Sequence, residues 1–212
     1  HHAVYNQEFV LYYQPIVDIN TGSLTSVETL LRWKSKDGIL SPNYFLDYIE
    51  KTGQITKISE YTMKDALYKF QDIQKNMQSL VHISFNLSPK QLLNETLVDN
   101  FTKIIKETSI NPQNIMFEIT ENITTESIQN NTNIFEYLEN LGVSFSMDDF
   151  GTGYSCLGQL KNYPIKKIKI DKVLVHKMEV DTDYQLMLRG VIKLAHAMNY
   201  TVVAEGVETK RQ

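Results

Sequence analysis

The 212-residue sequence predicts an α/β fold with a mostly parallel sheet, best read as a modified (β/α)8 barrel that stops short of its last β/α unit. Three observations carry this. Short β-rich runs alternate with longer amphipathic stretches, and most connections are long enough to hold a helix, as parallel pairing requires. The opening pair is the exception, because Asn20-Thr21-Gly22 joins its two runs through a connection that permits antiparallel pairing only. Lastly, seven strands are legible before Gln212, whereas a closed barrel typically takes about 250 residues. An open doubly wound sheet fits less well, since the chain starts with a hairpin and lacks a Gly-rich first turn.

Taken in order, the predicted elements begin with strands over Phe9 to Ile19 and Thr25 to Trp33. Ser41-Pro42 reads as an N-cap with proline at the first helical position, and Gly53 as a C-cap. A second helix spans about Lys57 to Met77, and a strand over Val81 to Leu87 ends at Ser88-Pro89, which opens another helix. Then come a strand over Ile115 to Thr120, a helix near Asn131 to Leu141 and a strand over Val143 to Asp148. A strand over Ile165 to Asp171, a helix over Asp183 to Met198 and a strand over Thr201 to Ala204 complete the pattern. No low-complexity stretch or linker interrupts it, so one domain over residues 3–212 is expected, His1 and His2 resembling a tag remnant.

Apolar residues make up 42% and charged residues 22%, the balance of a globular protein rather than a disordered one. Twenty-one Lys and Arg against 25 Asp and Glu give a net charge of -4, which excludes the broadly basic surface of a duplex-DNA binder but leaves room for a local anion pocket. The lone Cys156 allows no internal disulfide, and five histidines form no Cys/His zinc pattern. No apolar run approaches the roughly 18 residues of a membrane span. The expectation is a cytoplasmic domain, with a longer protein free to carry an anchor elsewhere.

The polar residues sit at telling positions. In the second strand, period 2 puts Glu28, Leu30 and Arg32 on one face and Val27, Thr29 and Leu31 on the other. The later strands end with Asn86, Glu118 (Glu121 just beyond), Asp148-Asp149, Lys169 with Asp171, and Glu205. In a parallel barrel these ends converge on the mouth where catalytic groups sit. Clustered carboxylates there need cations to stay ionised, and five of them with an amide oxygen suit a pair of hard ions, Mg²⁺ or Mn²⁺. Two such ions clamp the oxygens of a phosphoryl displacement. Asp148 and Asp149 are adjacent, so for both to face the site the strand has to end there, with Gly151 and Gly153 supplying freedom. Singly, several of these residues read otherwise. A strand-end Glu118 is by itself a solvated residue or a cap partner, an Asp-Asp pair is often a turn, and Arg32 suits an internal salt bridge as well as a phosphate. Glu28 and Lys169 resist such readings, because an unpaired charge on an interior strand face is costly.

Several motifs follow one another along the chain: Gln14-Pro15-Ile16, Glu28-Thr29-Leu30-Leu31-Arg32-Trp33, Phe85-Asn86-Leu87-Ser88-Pro89 and Phe117-Glu118-Ile119-Thr120-Glu121. Further along come Asp148-Asp149-Phe150-Gly151-Thr152-Gly153-Tyr154-Ser155, Lys169-Ile170-Asp171 and Ala204-Glu205-Gly206-Val207-Glu208-Thr209. Together they resemble the EAL-domain family of cyclic di-GMP phosphodiesterases. Two positions depart from the pattern: Thr29 stands for alanine, facing away from the Glu28 side, and Cys156 stands for serine. The family's eighth-strand Gln-Gly-Tyr motif is not found before Gln212, so a longer protein is expected.

The resemblance implies a modified (β/α)8 barrel with one antiparallel strand and metal-dependent hydrolysis of cyclic di-GMP to linear pGpG. It implies Glu28, Asn86, Glu118 and Asp148 as ligands of one ion, and Asp148, Asp149 and Glu205 as ligands of the other. Lys169 would contact the attacking water, with Glu208 supporting the network. Gln14, Leu30, Arg32 and Asp171 would hold the dinucleotide, and Glu121 would steady the loop from Asp149 to Ser155. A homodimer fused to sensory or cyclase domains is implied as well. Two other readings stay open: a cyclic di-GMP receptor or protein-interaction module without turnover, and a different metal-dependent barrel hydrolase.

Overall fold

The computed structural model describes residues 2–77, 81–92, 96–120, 132–151, 160–161 and 163–212. The chain forms two compact units, His1–Met116 with Leu141–Val143, and Phe117–Asn140 with Ser144–Gln212.

In the first unit a short helix α1 (His2–Tyr5) leads into β1 (Phe9–Val17), β2 (Leu24–Ser35) and β3 (Gly38–Leu40). β1 and β2 pair antiparallel, with Tyr12 opposite Leu30 and Gln14 opposite Glu28. β1 stops two residues short of the predicted Ile19, because Asp18 Oδ1 accepts the N–H groups of Asn20 and Thr21 and draws the turn forward. β3 is an addition to the predicted set, pairing Ser35 with Gly38 across a tight turn. Its signal, Asp37-Gly38 after a β-rich run, is in the sequence.

Pro42 to Tyr44 form a 3-10 turn instead of opening the predicted helix. α2 (Leu46–Lys51) and α3 (Gln54–Lys75) follow, separated by Gly53 at φ +69°. α3 buries Ile55, Ile58, Thr62, Met63, Ala66, Leu67 and Phe70, one face at helical spacing. β4 (His82–Asn86) runs parallel to β2, placing Ser84 opposite Glu28. The helix expected after Ser88-Pro89 is described over α4 (Pro89–Leu92), and α5 (Leu97–Thr108) buries Phe101, Ile104 and Thr108. The core of the unit gathers Phe9, Phe45, Ile49, Ile55 and Ile58, with Trp33 and Tyr61 against them. The Phe9 ring lies 5.7 Å from Trp33 and 5.3 Å from Phe45. Trp33 Nε1 donates to Glu8 Oε2 at 2.9 Å, so the half-buried indole has its polar group satisfied.

The second unit takes most of β5 (Ile115–Thr120), then α6 (Thr132–Asn140), β6 (Ser144–Phe150) and β7 (Ile165–Ile170). It continues with α7 (Lys172–Lys177), α8 (Thr182–Ala197) and β8 (Thr201–Ala204). β6, β7 and β8 pair in parallel, and Ile170 stands opposite Ala204. β5, buried on both faces, reads as an apolar run broken by Glu118, as parallel strands do, whereas β7 carries Lys166, Lys167 and Lys169 among its isoleucines and exposes only Lys166. α7 is a further element the periodicity does not show, six residues being too few to display a helical stripe. Asp171 caps it, its Oδ1 accepting the Val173 N–H at 2.7 Å. Ile170, Leu174, Val175 and Leu188 form a core cluster, and the Phe145 ring packs 5.0 Å from Phe135 and 6.1 Å from Phe117. Among the described residues no helix is long and apolar enough to cross a membrane.

Candidate functional site

In the second unit the acids converge on Lys169. Its Nζ lies 2.7 Å from Glu118 Oε2, 2.8 Å from Glu205 Oε1 and 3.0 Å from Asp148 Oδ1, and its side chain is 1% exposed. Glu118, which alone reads as a solvated strand end, is therefore a buried ion-pair partner. Such burial holds only when each charge is paired, because desolvating a lone carboxylate or ammonium costs several kcal/mol.

The Asp148-Asp149 pair reaches the same place by a different route from the one its sequence suggests. β6 does not end there. It continues to Phe150, and Asp149 adopts φ +54° within the strand. The ladder runs from Met147 opposite Ile168 to Phe150 opposite Ile170, so β6 carries one extra residue, a β-bulge. A regular strand would send neighbouring side chains to opposite faces, whereas the bulge gathers both. One carboxylate oxygen each from Asp148, Asp149 and Glu205 lies within 4.8 Å of the others. Asp148 Oδ1 is buried without an aligned hydrogen bond, its cationic contact being the Lys169 ion pair. Hard oxygen donors, an acceptor short of a hydrogen bond and three carboxylates around the Lys169 ammonium, with Asp149 beside two of them, fit a divalent cation.

In the first unit, Glu28 is buried and takes a hydrogen bond from Asn86 Nδ2 at 3.4 Å, which leaves the amide oxygen its acceptor capacity. Thr29, where the sequence departs from the motif, faces the other way, and its hydroxyl donates to the Ser84 carbonyl at 2.7 Å between β2 and β4. Gln14 is exposed opposite Glu28, and Leu30 pairs with Tyr12. Arg32 Nη1 donates to the Leu31 carbonyl at 2.8 Å, and the guanidinium carbon sits 5.8 Å from the Tyr12 ring centroid. Sequence reasoning passed over Tyr12, although it lies two residues from Gln14 on the same strand face and its cross-strand neighbour flanks Arg32.

The remaining residues divide. Asp171 is buried as the α7 cap, and Glu208 stands exposed, apart from the Asp148, Asp149 and Glu205 group. Glu121, Cys156 and the loop from Thr152 to Ser155 lie outside the described residues.

The EAL domain family model matches residues 1–212. The chain belongs to the EAL-domain family. This EAL domain is 34% identical, over 99% of its length, to MucR of Pseudomonas aeruginosa, named a bifunctional diguanylate cyclase/cyclic di-GMP phosphodiesterase. It is 32% identical, over 98% of its length, to RocR of the same organism, named a cyclic di-GMP phosphodiesterase. The chain spans 31% of MucR and 53% of RocR. A solved structure described as the PaMucR phosphodiesterase in complex with c-di-GMP superposes with a TM-score of 0.91 at 34% identity, covering 99% of this chain and 85% of that one. The fold is thus the α/β fold of EAL domains, a parallel-rich sheet consistent with part of a modified (β/α)8 barrel, with β1 antiparallel to β2.

Proposed function

We propose that this EAL domain hydrolyses one phosphodiester bond of cyclic di-GMP to give linear pGpG, using two Mg²⁺ or Mn²⁺ ions. The observation that carries the reading is the gathering of Asp148, Asp149 and Glu205 oxygens within 4.8 Å, with Lys169 ion-paired to Asp148 and Glu205. The names of MucR and RocR and the c-di-GMP complex of the MucR structure support the substrate.

Asp148, Asp149 and Glu205 would hold one ion, and Glu28, Asn86 and Glu118 with Asp148 the other. Bound there, such ions acidify water and offset the charge that grows on the phosphate oxygens. The chain's own groups do the rest. Arg32, steadied by Tyr12 and its own strand's carbonyl, offers the planar donor fork that a phosphate accepts. Gln14, Leu30 and Asp171 flank the dinucleotide. Lys169 donates or accepts a proton at Nζ beside the attacking oxygen, and it keeps the carboxylates paired when cations leave. Glu208 supports the water network and Glu121 steadies the loop that follows Asp149. The domain works in the cytoplasm, as a homodimer within a longer protein carrying sensory or cyclase domains, consistent with the bifunctional name of MucR.

The test is turnover of cyclic di-GMP by the full-length protein as Mn²⁺ is titrated, with pGpG measured as product. Glu28→Ala is expected to lower the rate at least about 100-fold, since a lost metal ligand removes several kcal/mol of charge stabilisation. A wild-type rate in this variant would remove Glu28 from the site. Tight binding of the dinucleotide without turnover at any Mn²⁺ concentration would favour a receptor instead.

A further inference from the structure

Glu205 follows the last residue of β8, and its backbone on both sides is tied to neighbouring elements. Its own N–H donates to the Ile170 carbonyl at the end of β7, at 3.1 Å. Beyond it, Gly206 turns at φ +65° so close to α7 that a Cβ there would lie 2.6 Å from Lys172 Cβ. One turn further along α7, His176 Nε2 lies 3.1 Å from the Gly206 carbonyl oxygen. A carbonyl only accepts, so the ring nitrogen donates, which it does in the Nε2–H tautomer and as imidazolium alike.

The same short helix braces the other carriers of the acid group. Gly151, two residues after Asp149, sits at φ +97° against Leu174, whose Cδ1 would lie 2.2 Å from a Cβ at that position. Asp171 begins α7 directly after β7, whose Lys169 pairs with Glu205 at 2.8 Å. α7 is thus the element on which the bulge and the turn after β8 both rest.

We infer that His176 is a positioning residue for Glu205. By holding the Gly206 carbonyl it fixes the peptide plane one residue beyond Glu205, between Gly206 and Val207, while the Ile170 carbonyl holds the plane before Glu205, so the turn that carries Glu205 is anchored on both sides. Pinning the backbone of a ligand removes conformational freedom that cation binding would otherwise have to remove. The role rests on Glu205 being a metal ligand, as proposed above.

The experiment is a Mn²⁺ titration of the full-length protein followed by the electron paramagnetic resonance signal of free Mn²⁺. His176→Ala is expected to weaken Mn²⁺ binding about 10-fold, the scale of a lost outer partner of a metal site. The unfolding midpoint in EDTA should stay within about 2 °C, as befits loss of one exposed hydrogen bond. His176→Gln, which keeps an N–H donor, should recover most of the affinity, and Glu205→Gln should lose at least as much as His176→Ala. Wild-type affinity in His176→Ala beside weak binding in Glu205→Gln overturns the role of His176 alone. Wild-type affinity in both overturns the ligand assignment of Glu205 and this role with it. Equal weakness in His176→Ala and His176→Gln overturns the hydrogen bond as the cause.

Discussion

Lys169 carries one positive charge to a point where Glu118, Asp148 and Glu205 all reach it, and 51 residues separate it from Glu118. Period 2 along an apolar strand marked the lysine as interior, because burying an unpaired charge is too costly to happen idly. Its partners were not legible in the same way, since no local pattern states which strand ends will meet. The bland reading of Glu118 failed for that reason: its strand is buried on both faces, and it is Lys169, from another strand, that pairs the carboxylate there. Replacing the ammonium with an apolar chain, Lys169→Met, leaves three carboxylates with less compensation. Urea unfolding in EDTA should show a loss of about 3 kcal/mol, the scale for removing one partner of a buried pair. Added Mg²⁺ should return part of it, and turnover should stay low. Unchanged stability in EDTA would show that pairing with Lys169 does not hold these acids in the folded chain.

At the scale of an element, β6 shows how a short motif and a tertiary feature divide the work. The sequence placed Asp148-Asp149 at the strand's end with glycines following, and assigned the needed freedom to Gly151 and Gly153. In the folded chain Asp149 itself takes the left-handed conformation inside the strand, and the bulge is defined by its register with β7. Gly151 does matter, at φ +97° and against Leu174 of α7. Gly151→Ala should therefore destabilise by about 1–3 kcal/mol, combining backbone strain with overpacking. Adding Leu174→Ala should recover the packing share, so that the double variant loses less than the sum of the single losses by thermal unfolding. Strict additivity would show that the methyl finds room without disturbing Leu174. α7 itself and β3 escaped the pattern because three to six residues display too few periods to stand out.

For the whole molecule, cation binding and folding stability are one equilibrium. Ions held by the folded carboxylates and not by the unfolded chain stabilise it by about 2.7 kcal/mol at a hundred times the dissociation constant. For a domain near this length, that should raise the midpoint of the EAL-domain transition by about 5–10 °C over its value in EDTA. Scanning calorimetry of the full-length protein with and without Mn²⁺ reads this directly. A midpoint that ignores Mn²⁺ at millimolar concentration would count against a resident ion pair of any kind.

What the amino-acid sequence determined by itself was the alternation of strands and helices, the antiparallel opening and the family. It also placed each polar residue on a strand end or strand face, because period 2, turn chemistry and motif spacing are local properties of the chain. The folded structure alone decided that Lys169 serves several acids, that a bulge turns two adjacent aspartates the same way, and that α7 supports both the bulge and the turn after Glu205. These depend on strand register and on packing between segments far apart in sequence, and no periodicity within one segment encodes its partner in another.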